Sequence, residues 1–130
     1  MLFGRSCPDC RIVAIEPYVA DCLRASLAAG APTTVQTGKT SMAGLNCGTP
    51  SYLAWPDLER GLAGAVAIDD VAATDAIADL TALGVDSGPC GAASLAALRV
   101  LATEPARSRL GLCPGSSVVL LNTEGADAAG

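Results

Sequence analysis

The chain has 130 residues, enough for one domain, and its formal net charge is −5. Hydrophobic residues make up 51% and aromatic residues 3%, a mixture that argues against disorder. The lysine and arginine residues are scattered and form no basic patch, so we expect no nucleic-acid partner. Histidine is absent, which excludes histidine-based catalysis.

Neither a membrane span nor an export signal is expected. The apolar runs fall short of the roughly 20 residues that a transmembrane helix needs, and the start of the chain has no apolar core of a signal peptide. We therefore expect a cytoplasmic protein with no membrane partner. Because only 16% of the residues are charged, we also expect an apolar face that needs a partner.

Three short apolar runs predict buried parallel strands, because such strands lose the alternation of polar and apolar residues. They lie at 12–15, 65–68 and 118–121. Between them the spacing predicts helices at 19–29, at 69–83 and at 91–103, with another beginning near Pro56. Residues 33–50 have loop composition, with at most one helical turn near 41–45.

This alternation predicts an α/β fold. We expect a partial three-layer sandwich in which a short, mainly parallel sheet of about three strands has helices on both faces. The whole chain, 1–130, is expected to be a single domain. Residues 1–10 form a divergent start, and residues 125–130 a frayed tail.

The six cysteines suggest two roles. Without an export signal a disulfide framework is not expected, and most of the cysteines are predicted to be small buried residues. Cys7 and Cys10 have the spacing of a redox pair or of half a zinc site. However, a strand follows directly instead of a helix, and no second close pair supplies more ligands. We expect no metal site, and the role of this pair stays open.

Two polar turns could contact a ligand. Residues 87–92, Ser-Gly-Pro-Cys-Gly-Ala, open a predicted helix, where free N–H groups can bind an anion. Thr123 follows the last predicted strand, and ligands of open α/β sheets bind beyond the carboxyl ends of strands. Each turn could equally be an ordinary feature of helix packing or of chain reversal.

A third candidate, Gly38-Lys39-Thr40, lacks the features of a phosphate-binding loop. That loop requires another glycine five positions before Gly38, where the chain has threonine. Asp69, Asp70, Asp75 and Asp79 recur at helical spacing near a helix start, which is typical of a solvated face that complements the helix dipole. Neither group predicts catalysis.

Several segments together resemble the later part of fold type II pyridoxal-phosphate enzymes. They are Ile12–Pro17, Ser26–Gly30, Thr40–Gly48, Gly88–Ala92 and Thr123–Gly125, in the same order along the chain. Among the branches of this family, the sequence is most similar to the diaminopropionate ammonia-lyases, which are related to threonine dehydratase. The resemblance covers about residues 11–127.

The resemblance implies pyridoxal phosphate as the cofactor of the intact family. It also implies that the hydroxyl of Thr123 bonds the pyridine nitrogen and that Gly88, Pro89 and Cys90 lie near the ring. Pro89 and Cys90 stand where the lyases often have Glu-Ser. The Schiff-base lysine and the glycine-rich phosphate loop of the family find no match here, since Lys39 falls elsewhere. No catalytic residue is therefore assigned.

We accordingly expect a fragment of an ammonia-lyase that acts on an amino acid such as diaminopropionate. It should be inactive alone and should not bind the cofactor stably. Two alternatives remain. One is a non-catalytic binding or oligomerisation module, and the other is one half of a split enzyme. Expected partners are a second copy of the chain or a complementary chain.

Overall fold

A computed structural model describes residues 9–126. Its sheet has two parallel strands, β1 (Ile12–Pro17) and β2 (Leu62–Ile68), paired so that Ile15 lies beside Val66 and Pro17 beside Ile68. Five α-helices lie in this part of the chain: α1 (Cys22–Ala29), α2 (Trp55–Gly61), α3 (Asp70–Ala82), α4 (Pro89–Leu101) and α5 (Ala106–Leu110). Single turns of 3-10 helix cover Tyr18–Ala20 and Ala43–Leu45. The α/β fold class is thus confirmed.

The helix ends follow local sequence signals. The Asp69 carboxylate accepts a hydrogen bond from the N–H of Ala72 at 2.8 Å, and it thereby caps α3. Pro89 occupies the first turn of α4, where a missing N–H costs nothing. Gly30 ends α1 with φ of 68°, a left-handed conformation that glycine adopts without strain.

The core lies where α3 and α4 pack together and where α4 contacts both strands. Its buried members are mostly small: Met42, Ile68, Ala73, Ala76, Ala92, Ala93, Ala96 and Ala97. Alanine on facing helices lets their backbones approach closely, so Met42 and Ile68 contribute most of the side-chain volume. None of the helices within residues 9–126 is long and apolar enough to cross a membrane.

The predicted third strand is wrong. Residues 117–122 form no strand in the described part of the chain, and the sheet there has two strands. Val119 is 83% exposed and Leu121 is 69% exposed. The segment is anchored at Asn122 and Glu124 to the start of α4, instead of lying along an edge of the sheet. An apolar run forms a strand only where a neighbouring strand accepts its backbone hydrogen bonds.

The first residues of the expected tail contact the segment that precedes α4. The N–H of Ala126 donates to the Asp86 carboxylate at 3.1 Å, and Gly125 packs against the same carboxylate. Residues 127–130 lie outside the described part, as do residues 1–8 of the predicted divergent start.

The cysteines differ from the expectation that most are buried. Of the free thiols in residues 9–126, Cys22 is buried, Cys90 is half-buried, and Cys47 and Cys113 are exposed. Cys10 is disulfide-bonded, while Cys7 lies outside the described residues. Within the described residues, no group of three or more acidic, cysteine or histidine side chains could hold a metal ion.

Candidate functional site

The structure brings the two predicted turns together. The N–H of Gly88 donates to the backbone carbonyl of Glu124 at 2.9 Å. The Glu124 carboxylate accepts from the N–H of Cys90 at 2.5 Å and from the N–H of Gly91 at 3.4 Å. A carboxylate at a helix N-terminus is stabilised by the free N–H groups and by the helix dipole. Glu124 therefore caps α4 from more than thirty residues away in sequence.

Side chains on either side of Glu124 complete this contact. The amide nitrogen of Asn122 donates to the carbonyl of Asp86 at 3.0 Å, and the Ser87 hydroxyl is 3.1 Å from the Asn122 amide oxygen. We call residues 86–91 together with residues 122–126 the terminal clasp. Both segments can be identified from the sequence, but the role of Glu124 cannot, because its only signal is an acidic residue beside Thr123.

Two glycines are required by close packing in the terminal clasp. A Cβ atom on Gly88 would lie 2.7 Å from the Glu124 carboxyl carbon. One on Gly91 would lie 1.9 Å from the amide oxygen of Asn122. Real Cβ atoms do not approach other atoms this closely, so a side chain at Gly88 would force the Glu124 side chain to move, and one at Gly91 would force the Asn122 side chain to move.

Thr123 differs from its neighbours in the clasp. Its side chain is exposed, and its hydroxyl makes no hydrogen bond to any residue in 9–126. The clasp therefore leaves one hydroxyl available to a ligand, whereas the N–H groups of Gly88 and Cys90 already have acceptors.

The thiol of Cys90 faces the 3-10 turn Ala43–Leu45, because a Cβ on Gly44 would lie 3.2 Å from the Cys90 sulfur. Burial raises the pKa of this thiol, and the Glu124 carboxylate raises it further, while the N–H groups of Gly44 and Leu45 act in the opposite direction. The group is thus kept as a neutral thiol, which is a weak nucleophile.

A second feature, absent from the sequence analysis, is a cleft of about 190 Å³ at the carboxyl ends of both strands. It is bounded by Pro17 and Ile68, and by Lys39 from the loop. At its edge the Asp70 carboxylate accepts from the Thr40 hydroxyl at 2.5 Å and from the N–H of Ser41 at 3.1 Å. The Thr40 bond is the main cause that lowers the pKa of Asp70. The cleft shares no lining residue with the terminal clasp.

Comparisons with known proteins agree with this architecture. The family described as "Pyridoxal-phosphate dependent enzyme" matches residues 2–124. Diaminopropionate ammonia lyase from Escherichia coli, solved in complex with D-serine, is 27% identical with a TM-score of 0.73 over 88% of this chain and 30% of its own. Maize serine racemase is 34% identical with a TM-score of 0.68, over 72% of this chain and 30% of its own.

A fungal L-serine ammonia-lyase from Rhizomucor miehei covers 98% of the chain and 42% of its own, with a TM-score of 0.67. Its identity of 17% supports the fold alone. The chain therefore spans from three-tenths to about two-fifths of the length of these proteins. No curated protein sequence shows significant similarity to it. Since the family match covers nearly all of the chain, this chain belongs to the pyridoxal-phosphate-dependent enzymes.

Proposed function

We propose that the chain is part of the cofactor domain of an amino-acid ammonia-lyase and that it has no catalytic activity by itself. The family match and the partial coverage of related enzymes support the first statement. The sequence motifs and the likeness to the Escherichia coli enzyme favour diaminopropionate, or a similar small amino acid, as the substrate of the complete enzyme.

The described residues do not fit a complete pyridoxal-phosphate site. Thr123 offers a free hydroxyl, which suits a contact to a pyridine nitrogen, and such a bond contributes about 1 kcal/mol. The N–H groups of Gly88 and Cys90 are already bonded to Glu124, and the Glu124 carboxylate fills the space beside Gly88. Lys39, the single lysine of the sequence, lines the separate cleft. The proposed inactivity rests on this observation: in the terminal clasp, the N–H groups of Gly88 and Cys90 already have Glu124 as their acceptor.

Mixing the purified chain with pyridoxal phosphate should give no stable imine absorbance and no release of ammonia from diaminopropionate, serine or threonine. Because Lys39 is the only lysine, borohydride reduction followed by peptide mapping tests the one side chain that could form the imine. The matched control is Lys39→Arg, which keeps the charge. The proposal would be overturned if the unchanged chain released ammonia and Lys39→Arg did not.

The exposed segment before the terminal clasp favours a second proposal, that the chain assembles with a partner. Val118, Val119 and Leu121 are exposed in an extended segment outside the two-stranded sheet. Such a segment can add a strand to another chain, because its backbone is free to pair. The partner would be a second copy, or a complementary chain that supplies the missing part of the cofactor site.

Sedimentation of the purified chain should therefore show concentration-dependent self-association. Val119→Lys should shift the chain toward monomer, since it places a charge in the centre of the exposed segment. Thr103→Lys is the matched control, because it adds the same charge at an exposed site after α4. A chain that remains monomeric at high concentration, and that binds no complementary chain, would contradict assembly.

A further inference from the structure

Two cysteines lie on adjoining chain segments beside the carboxyl end of β1. Cys22 is the first residue of α1 and is 2% exposed, whereas Cys47 is exposed on the loop that joins α1 to α2. The residue before Cys22, Asp21, pairs with Cys47 in an isolated parallel bridge. The Cys47 side chain is near enough to raise the pKa of the Cys22 thiol. The backbone bridge thus holds together the two chain segments that carry these cysteines.

The surroundings of the pair are fixed by hydrogen bonds. The Glu16 carboxylate accepts from the N–H groups of Leu23 and Arg24 at 2.7 Å and 2.9 Å, which caps α1, and its charge helps to raise the pKa of the Cys22 thiol. The Cys47 thiol donates to the carbonyl of Thr49 at 3.1 Å. Neither cysteine belongs to the terminal clasp or to the cleft beside Lys39.

We propose that Cys22 and Cys47 form a reversible redox pair, which closes to a disulfide by exchange with a low-molecular-weight disulfide such as oxidised glutathione. The geometry carries this inference: both thiols are free, one is buried and the other exposed, and a backbone bridge at Asp21 and Cys47 holds their chain segments together. The proposal is independent of the assigned enzyme family.

The difference in exposure sets the order of the steps. The Cys47 thiolate attacks oxidised glutathione, a mixed disulfide forms at Cys47, and one reduced glutathione leaves. Cys22 then loses its proton and attacks the Cys47 sulfur, and a second glutathione leaves and takes up a proton. In total two protein thiols are oxidised to one disulfide, while one glutathione disulfide is reduced to two thiols.

Burial, and next the Glu16 carboxylate, raise the pKa of Cys22 to about 12. Cys22 is therefore a poor first nucleophile but is placed to resolve a mixed disulfide on its neighbour. The bond would close the loop between residues 22 and 47, which includes the 3-10 turn Ala43–Leu45 that contacts Cys90. Oxidation would hold this turn in place.

The test uses the full chain, treated with oxidised glutathione, alkylated and digested with trypsin. Cys22 and Cys47 fall on different peptides, 12–24 and 40–60, and neither peptide contains another cysteine. We expect these two peptides to be cross-linked and to separate on reduction. In Cys22→Ala we expect Cys47 to retain glutathione. The proposal would be overturned if Cys47 of the unchanged chain kept glutathione, or if it never reacted with oxidised glutathione.

Cys113→Ser is the matched control. Cys113 is exposed, and the Ser116 hydroxyl lowers its pKa, so it is the competing reactive thiol. Its removal should leave the cross-link between 12–24 and 40–60 unchanged.

Oxidation should also raise the melting temperature of the unchanged chain, on the order of 10 °C for a loop of this length, but not that of Cys47→Ser. Equal increases of the melting temperature in the unchanged chain and in Cys47→Ser would contradict a disulfide between Cys22 and Cys47.

Discussion

Replacing Met42 with alanine should lower the free energy of unfolding by about 2–5 kcal/mol. Met42 is fully buried and is the largest side chain with less than 2% exposure. Most of its neighbours in the core are alanines of α3 and α4, which have no longer side chain that could fill the space. Part of the lost volume would therefore remain as a cavity, and the cost should be toward the upper end of this range.

Urea unfolding followed by circular dichroism would measure this effect. Met42→Leu is the matched control, because it nearly conserves the buried volume and should cost less than about 1.5 kcal/mol. If Met42→Ala cost no more than Met42→Leu, the side chain would not have the central position that the structure assigns to it.

Four of the five α-helices in residues 9–126 and both strands could be predicted because their signals are local, whereas α5 (Ala106–Leu110) was not predicted. Gly30 and Gly84 stand directly after helices, and Asp69 directly before one. The predicted helix at 69–83 corresponds to α3 (Asp70–Ala82), and that at 91–103 to α4 (Pro89–Leu101). For α4 the sequence predicts an opening turn from Gly88 to Gly91, but in the structure the helix already begins at Pro89.

The third strand could not be excluded from sequence, because a strand depends on a partner. The run at 118–121 has the composition of a buried strand, yet in the structure Val119 is exposed. What decides its conformation is whether a strand edge lies beside it, and a local pattern contains no such information. The same argument explains why this segment is the proposed contact for a second chain.

The candidate site could be predicted only in part. The likeness to a known family identified Gly88, Cys90 and Thr123, and the structure places all three in the terminal clasp. Their proposed contacts to the cofactor stay predictions. The Glu124 cap could not be foreseen, because its partners lie more than thirty residues away and the interaction depends on tertiary packing. The proximity of Cys22 and Cys47 could not be foreseen for the same reason.

The second large effect is expected at Glu16, the buried carboxylate at the end of β1. Glu16→Ala should lower the free energy of unfolding by about 2–4 kcal/mol, since hydrogen bonds to charged groups contribute about 1.5–3 kcal/mol each. Glu16 is 5% exposed and accepts two such bonds, from the N–H groups of Leu23 and Arg24. Its removal would leave two donors at the start of α1 without an acceptor.

Glu59→Ala separates this effect from the simple loss of a charge, because Glu59 lies exposed on α2 and should change the stability by less than about 0.5 kcal/mol. Urea unfolding of both variants would measure the difference. The Glu16 variant should also change the chemistry of Cys22, because the thiol loses a nearby negative charge that raises its pKa. Alkylation of Cys22 in the folded chain should therefore become faster in Glu16→Ala and stay unchanged in Glu59→Ala. Equal stabilities and equal alkylation rates would show that Glu16 neither caps α1 nor controls the thiol pair.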